Sequence, residues 1–276
     1  MTLDLGGKLL LAGAGKMGGA MLAGWLARGL APSSILVQEP SPAPELVELL
    51  SRHSIPVQAR FDRLDAPPAV ILAAVKPQAM DMVLPDLARL AGPETLILSI
   101  AAGKTIASFE QHFGARAPVV RAMPNTPAAI GRGITVCVAN GAVTPAQRTM
   151  ATALLEAVGE VGWVEDEALM DAVTAVSGSG PAYVFLLAET LAAAGRAQGL
   201  DAALADRLAR ATVAGAGELL RQSSESAARL RENVTSPGGT TAAALGVLMR
   251  GENGLPSLMD EAIAAATKRG RELAGS

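Results

Sequence analysis

Apolar residues in the first part of the chain come in short runs, and longer stretches with helical spacing separate them. The short runs are aliphatic or β-branched, whereas the stretches between them repeat apolar positions every three or four residues. This alternation predicts a parallel sheet with helices on both faces. The predicted strands are Lys8–Ala12, Ile35–Gln38, Val70–Ala74, Thr95–Ile100, Val119–Ala122, Ile134–Val138 and Val161–Val164. The predicted helices between them are Lys16–Gly29, Pro44–His53, Gln78–Leu90, Thr105–Phe113 and Pro145–Val158.

The strand pattern stops after Asp166, and the rest of the chain has helical spacing throughout. We therefore predict two domains, an α/β domain over residues 1–165 and an all-helical domain over 166–276. The helices predicted in the second domain are Glu167–Val176, Pro181–Gln198, Asp201–Ser223, Ala227–Asn233, Pro237–Arg250 and Leu255–Leu273.

One predicted helix has almost no polar face. The stretch Pro181–Gly195 is apolar nearly all the way round, with Glu189 as its one charge. A helix of this kind must be buried on every side. A small helical domain cannot cover it alone, so the pattern predicts an obligate homo-oligomer.

Composition and charge exclude several classes of function. Half of the residues are apolar but only 3% are aromatic, so Ala, Leu, Val and Met must fill the interior. The net charge is −3 and the Lys and Arg residues are scattered, which argues against a nucleic-acid partner. The longest apolar stretch is too short to span a bilayer, and the N-terminal residues do not match a signal or transit peptide. We expect a cytoplasmic protein with no membrane partner.

The one cysteine, Cys137, lies in a predicted strand rich in β-branched residues. We expect a buried structural thiol there, and an internal disulfide is excluded. No spacing of His, Cys and carboxylate residues predicts a metal site.

A glycine-rich segment joins the first predicted strand to the first predicted helix. Three glycines at this place suit a dinucleotide: the first permits a tight turn, the second lets the backbone approach a pyrophosphate, and the third permits close contact between strand and helix. The unpaired amides at the start of the helix would face the anion. The alternative is a turn with no ligand. The expected cofactor-binding residues here are Gly13, Ala14, Gly15, Lys16, Met17 and Gly18.

A carboxylate follows the next predicted strand, where a ribose contact is expected about 20 residues beyond the glycines. Glu39 holds this position. A carboxylate there would accept a hydrogen bond from a ribose 2′-OH and repel a 2′-phosphate, which favours NADH over NADPH. The alternative is a solvated loop residue.

Two further loops follow predicted strands and are expected to border the cofactor, because ligands of open parallel sheets lie beyond the carboxyl ends of the strands. Lys76, in the first of these loops, could instead be an ordinary surface lysine with no cofactor contact. The residues expected to contact the cofactor are Ala74, Val75, Lys76 and Pro77 in one loop and Ile100, Ala101 and Ala102 in the other.

Four segments, in this order and at this spacing, closely resemble the pyrroline-5-carboxylate reductases: AVKP at 74–77, RAMPNTP at 121–127, TAVSGSGPAY at 174–183 and NVTSPGGTT at 233–241. The resemblance covers essentially the whole chain. It implies a Rossmann-type N-terminal domain, an all-α C-terminal dimerisation domain, and a homodimer that in many members assembles further into a decamer of five dimers. It also implies NADPH or NADH as cofactor and reduction of pyrroline-5-carboxylate to proline.

The resemblance also implies site residues in the second domain. On its pattern Thr241 hydrogen-bonds the substrate nitrogen, Ser236 and the amides of Thr240 and Thr241 hold the substrate carboxylate, and Asn233 lies where cofactor and substrate meet. Gly239, Ser177 and Gly178 are further expected substrate-binding residues.

The residues themselves give these roles a physical basis. Ser236 followed by Pro237 suits the start of a helix, and Gly238 and Gly239 would leave the first amides uncovered for a carboxylate. Ser179 before Gly180 and Pro181 predicts a second capped helix start beside the pocket. The alternative for both is capping with no ligand.

The sequence lacks a His–Asp or Lys–Asp pair suited to acid–base work on a ketone. An imine can carry its proton already, so orientation beside the nicotinamide and one hydroxyl partner would suffice. Two other functions remain open: a related reductase with the same two-domain plan, such as a β-hydroxyacid dehydrogenase or a general imine reductase, and a protein that binds a nucleotide without catalysis. A β-hydroxyacid dehydrogenase would need a lysine in the helical domain, and none lies between Lys104 and Lys268. A non-catalytic nucleotide-binding scaffold would fail to oxidise the cofactor.

Overall fold

The computed structural model describes residues 4–274. Its elements follow the predicted order, with small shifts at their ends. The strands are β1 Leu9–Ala12, β2 Ile35–Gln38, β3 Val57–Gln58, β4 Val70–Ala73, β5 Leu96–Ser99, β6 Val119–Met123, β7 Gly133–Ala139 and β8 Gly159–Trp163. The helices are α1 Lys16–Ala27, α2 Pro44–Arg52, α3 Pro77–Leu90, α4 Ile106–Phe113, α5 Pro145–Leu155, α6 Met170–Val173, α7 Gly180–Ala197, α8 Ala202–Gln222, α9 Ala227–Asn233, α10 Thr240–Leu248 and α11 Leu255–Ala274.

The strands form one sheet in the order β3-β2-β1-β4-β5-β6-β7-β8. The pairings from β3 through β6 are parallel, as predicted, but β7 runs antiparallel to β6 and β8 is parallel to β7. The prediction of a parallel sheet is therefore wrong for its last two strands. A parallel neighbour needs a long crossover, whereas β6 and β7 are joined only by a loop with the short 3-10 turn Thr126–Ile130.

Strands β1 and β4 are apolar and buried throughout because both faces of the sheet are covered there. In β1, Leu9 and Leu11 belong to one hydrophobic cluster, and Leu10 and Ala12 belong to the other. Alternate residues of a strand point to opposite faces of the sheet. A strand that is buried on both faces therefore shows no alternation of apolar and polar residues. Sequence analysis missed β3, because Val57 and Gln58 form a strand of two exposed residues with no such signal.

The described chain divides into two compact units. The first contains residues up to Gly178 together with those from Thr267 onward, and the second is Ser179–Ala266. The domain boundary predicted at residue 165 follows the end of β8, whereas the compact units separate further along, after α6 and a π-helical turn at Thr174–Gly178. The predicted helix Glu167–Val176 is in fact a 3-10 turn, the short α6 and part of this π-helical turn.

The second unit is helical, and its apolar helix α7 has little cover within one chain. Ala192 is the one buried residue of α7, while Phe185 is 68% exposed and Leu186 is 57% exposed. Large apolar side chains in a contiguous exposed patch mark a surface that associates. This is the surface that the sequence predicts a second copy to cover. In the described part of the chain, none of the helices combines the length and the apolar character that crossing a bilayer requires.

Candidate functional site

The sheet reverses its strand order between β1 and β4, and the glycine-rich segment lies at this point. Gly13, directly after β1, has φ +88°, and a Cβ on it would lie 2.7 Å from the Ala74 carbonyl carbon and from the Val75 nitrogen. Only glycine combines this backbone conformation with such a close approach. The turn therefore joins the ends of two neighbouring strands at the place where open α/β sheets bind ligands.

The other two glycines of the segment have different surroundings. A Cβ on Gly18 would collide with the carbonyl oxygen of Gly13, so Gly18 lets α1 approach the strand. A Cβ on Gly15 would meet no protein atom within 4 Å. Gly15 is also the N-cap of α1, with no side chain capping the helix. An exposed backbone surface beside uncapped amides suits a pyrophosphate.

Glu39 makes defined contacts with the glycine segment. Its Oε2 accepts a hydrogen bond of 2.9 Å from the Ala14 amide, and its Oε1 accepts one of 3.1 Å from the Ser41 amide. The alternative of a freely solvated loop residue does not describe this geometry. The carboxylate lies at the carboxyl end of β2, next to the glycine turn.

The loops after β4 and β5 reach the same edge of the sheet. The Ala74 amide donates to the Ala12 carbonyl at 2.7 Å, and the Ile100 amide donates to the Ala73 carbonyl at 3.2 Å. Lys76 is exposed and precedes α3 without capping it through its side chain. The topology therefore brings the expected cofactor residues of the first unit to one edge: those of the glycine segment, Glu39, 74–77 and 100–102.

Ser177 and Gly178 lie in the π-helical turn that ends the first unit. The Ser177 hydroxyl donates to the Val173 carbonyl at 3.0 Å, and a Cβ on Gly178 would lie 2.6 Å from Met123 Cε. Two of the four signature segments thus touch inside this unit, because Met123 belongs to the second and Gly178 to the third. π-helical turns occur frequently at functional sites.

The expected capping role of Ser179 is wrong. Ser179 has helical backbone angles, and its side chain makes no capping hydrogen bond to α7. The π-helical turn leads directly into α7, so no free helix start exists for a hydroxyl to cap.

The remaining expected substrate residues lie in the second unit. Ser236 does not begin a helix as predicted, because Gly238 has φ +69° and breaks the helical path. The Gly239 amide donates to the Ser236 carbonyl in a turn, and α10 begins at Thr240 with Gly239 as its N-cap. A Cβ on Gly239 would lie 2.5 Å from Ser236 Oγ, so any side chain there would displace the Ser236 hydroxyl.

This turn leaves polar groups available. No side chain caps α10, so its first amides are uncovered. Ser236 and Thr240 are exposed and Thr241 is partly buried. Asn233 ends α9, and its side-chain amide donates to Glu225 at 3.0 Å. The geometry within the second unit suits a small carboxylate.

A partly buried ion pair of the first unit has no role among the residues predicted from sequence. Arg121 Nη1 lies 2.8 Å from Glu167 Oε1, and the same oxygen accepts a hydrogen bond of 2.9 Å from the Ile106 amide. Ile106 begins α4, which follows the 100–102 loop. The available signal was a charged residue inside the apolar strand β6, but its partner could not be identified from spacing.

The Cys137 prediction is confirmed. Its thiol is buried in β7, and burial raises the pKa of the Cys137 thiol from 9.0 to about 12. It is a core residue rather than a nucleophile.

The fold and the glycine turn define a dinucleotide-binding protein of the Rossmann class with a helical second unit. Comparison with known proteins makes this specific. Residues 167–273 match the family "Pyrroline-5-carboxylate reductase dimerisation", and residues 8–103 match "NADP oxidoreductase coenzyme F420-dependent". A curated pyrroline-5-carboxylate reductase of Pseudomonas aeruginosa is 42% identical over 267 residues, which is 97% of each chain. The chain therefore belongs to the pyrroline-5-carboxylate reductase family.

Solved structures agree with this assignment. A pyrroline-5-carboxylate reductase from Coxiella burnetii superimposes with a TM-score of 0.89 at 35% identity, covering 97% of this chain and 98% of that one. The Plasmodium falciparum pyrroline carboxylate reductase, solved with NADP bound, gives a TM-score of 0.80 at 28% identity, covering 97% and 98%. The prediction of a Rossmann-type domain followed by an all-helical dimerisation domain is confirmed.

Proposed function

We propose that this chain is an NAD(P)H-dependent pyrroline-5-carboxylate reductase, which converts the cyclic imine pyrroline-5-carboxylate to proline. The observation that carries this within the family is the pair of uncapped helix starts, one at Gly15 and one at Gly239. The first suits the pyrophosphate of a dinucleotide, and the second suits the carboxylate of a small ring acid.

The first unit fits the cofactor on its own observations. The uncapped start of α1 and the open surface at Gly15 would hold the pyrophosphate, and Glu39 would contact the adenosine ribose. The loops at 74–77 and 100–102 would border the rest of the dinucleotide. Asn233 is assigned to the junction of cofactor and substrate on the resemblance alone. When bound, the reduced nicotinamide supplies the hydride.

The second unit would orient the imine. The amides of Thr240 and Thr241, with the Ser236 hydroxyl, would hold the substrate carboxylate, and the Thr241 hydroxyl would hydrogen-bond the ring nitrogen. Ser177, Gly178 and Gly239 complete the proposed substrate residues. The protonated imine accepts hydride at carbon while the electron pair of the C=N bond moves to nitrogen, which gives the secondary amine of proline. This step asks for orientation and needs no strong general acid.

The cofactor would bind to domain 1–165, and domain 166–276 would hold the substrate and the dimer contacts. Self-association through the helical domain follows from the family. The decamer of five dimers, the cytoplasmic location and the lack of a nucleic-acid partner stay predictions. Family membership argues against the dehydrogenase and scaffold alternatives.

The test is turnover of purified protein with pyrroline-5-carboxylate and NADH or NADPH, followed by the loss of nicotinamide absorbance and by proline formation. We expect Thr241→Ala to lower kcat by about tenfold or more, since it removes the partner of the nitrogen, and to leave the Kd for the dinucleotide within about twofold. Thr241→Ser should restore much of the rate.

The matched control is Thr149→Ala. Thr149 is an exposed helical threonine of the first unit whose hydroxyl donates to the Pro145 carbonyl at 3.0 Å. Equal losses in turnover for Thr149→Ala and Thr241→Ala would remove Thr241 from the proposed role. No proline formation by the unaltered protein with either dinucleotide would overturn the proposed activity.

A further inference from the structure

We propose that Glu39 makes this chain select NADH over NADPH. The inference rests on the proposed function only in requiring that the first unit binds a nicotinamide dinucleotide. NADH and NADPH differ at one place, the 2′ position of the adenosine ribose, so selection must come from the residues that face this position. In a Rossmann-type unit these lie at the end of the second strand.

The Glu39 carboxylate is held in place from two sides. Its two oxygens accept hydrogen bonds from the amides of Ala14 and Ser41, at 2.9 and 3.1 Å. Each contact ties it to backbone rather than to a mobile side chain. A carboxylate fixed in this way cannot swing aside at little cost to admit a second anion.

The backbone around Glu39 is also fixed. The Gly13 amide donates to the Gln38 carbonyl at 2.9 Å, which joins the end of β2 to the glycine turn. On the other side, the Glu39 amide donates to the Gln58 carbonyl at 2.9 Å. The buried Gln38 side chain accepts a hydrogen bond of 3.1 Å from the Phe61 amide. Glu39 therefore occupies a defined position between two strands.

The charge and the lone pairs of this carboxylate favour a hydroxyl. An ionised carboxylate offers about four acceptor positions, and the two amides leave some of them for the ribose 2′-OH of NADH. The 2′-phosphate of NADPH has no comparable proton to donate and carries about −1.5 to −2 charges near pH 7. Two negative charges brought within hydrogen-bonding range repel each other, so the carboxylate that favours NADH disfavours NADPH.

No cation of the described residues is paired with the carboxylate that would face the 2′ position. Arg60 follows β3, the strand beside β2, but its guanidinium already pairs with Asp62 at 3.3 Å and with Asp86 at 3.1 Å. Glu39 itself has no Lys or Arg within ion-pair distance in the part of the chain that the structure describes. Lys16 lies in the first turn of α1, where the expected pyrophosphate is common to both dinucleotides, so it does not discriminate between them.

The test measures dissociation constants rather than turnover. The unaltered protein is titrated with NADH and with NADPH, and the change in nicotinamide fluorescence gives each Kd. We expect Kd for NADH to be lower than that for NADPH by about tenfold or more. Glu39→Gln removes the charge and keeps an oxygen that accepts from an amide, so we expect the NADPH-to-NADH ratio of Kd values to fall by about tenfold.

Glu45→Gln is the matched control. Glu45 is an exposed residue in the first turn of α2, and its replacement removes the same charge from the same part of the chain. We expect its Kd ratio to stay within about twofold of the unaltered protein. The Kd ratio also distinguishes the loss of the negative charge from damage to the glycine turn. A disturbed turn would weaken the binding of both dinucleotides and leave their ratio unchanged.

Equal affinities or tighter NADPH binding by the unaltered protein would overturn the inference, as would an unchanged ratio in Glu39→Gln. These results are independent of the proposed activity, since no pyrroline-5-carboxylate is present in the titration. A protein that selects NADH but forms no proline would contradict the proposed function and leave this inference standing.

Discussion

Arg121 and Glu167 form an ion pair of 2.8 Å in which the Arg121 side chain is only 6% exposed. Glu167 Oε1 also accepts the Ile106 amide, so one carboxylate oxygen joins β6 to the start of α4. The loop at 100–102, which is expected to border the cofactor, leads into this helix. The pair is therefore placed to hold the position of that loop.

Removing the carboxylate from this pair should destabilise the first unit. Glu167→Ala leaves a buried guanidinium and a helix-start amide without their partner, and we expect a loss of about 2–3 kcal/mol in the free energy of unfolding. Urea denaturation at fixed protein concentration measures it. Glu160 is the exposed residue of the edge strand β8, so Glu160→Ala serves as the control and should change stability by less than about 0.5 kcal/mol. Similar losses in both variants would contradict the role given to the pair.

Two glycines of one turn should respond differently to the same substitution. Gly13→Ala places a Cβ 2.7 Å from backbone atoms at a φ of +88°, and we expect a loss of about 2 kcal/mol or more in the free energy of unfolding. Gly15→Ala meets no protein atom within 4 Å, so the fold should be kept. Its methyl group would instead stand where a pyrophosphate is expected, raising the Kd for NADH by about tenfold or more.

Thermal unfolding and nicotinamide fluorescence together separate these effects. If Gly15→Ala bound NADH as tightly as the unaltered protein, the pyrophosphate would have to lie elsewhere. If Gly13→Ala kept full stability, the steric account of the turn would be wrong.

The structural features that the sequence predicts best are those that depend on close contacts between backbone atoms and nearby side chains. The glycine spacing predicts the turn at Gly13 and the approach at Gly18 because each follows from what a Cβ would strike. Strands β1 and β4 are also predictable, since a sheet covered on both faces disfavours polar residues in its strands. The family resemblance extended these predictions to the second unit.

The features that sequence missed depend on contacts distant in the chain. Arg121 and Glu167 are 46 residues apart, and no spacing rule connects them. The contact of Glu39 with Ala14 exists only because β2 pairs with β1. At Ser236 a local rule misled the prediction: a hydroxyl followed by proline suits a helix start, but the positive φ of Gly238 delays α10 until Thr240.

The thiol of Cys137 should be inert in the folded protein. Burial raises the pKa of the Cys137 thiol from 9.0 to about 12, so it stays protonated near neutral pH. We expect no reaction with a thiol reagent until the protein unfolds. The folded state holds the thiol proton more tightly than the unfolded state does. The contribution of the buried, protonated thiol to the free energy of unfolding is therefore fully present below about pH 9 and is lost as the pH rises toward about 12.

The control for this prediction is Cys137→Ala. Because this variant has no thiol to ionise, its free energy of unfolding should decrease less at alkaline pH than that of the unaltered protein. Rapid modification of the native protein at neutral pH would contradict the burial of the thiol. An alkaline profile identical in Cys137→Ala would assign the fall in stability to other groups.

The exposed apolar face of α7 should decide whether the chain associates. Phe185, 68% exposed in the single chain, lies beside Leu186 and Leu187 on a helix of the family's dimerisation domain. Phe185→Glu would bury a charge in the interface between two copies, so we expect it to yield monomers in light scattering coupled to size-exclusion chromatography. Val47→Glu, on the exposed surface of α2 in the first unit, adds the same charge and should leave the oligomer intact. An oligomer that survived Phe185→Glu but dissociated in Val47→Glu would place the association on the first unit, and the apolar character of α7 would then need another cause.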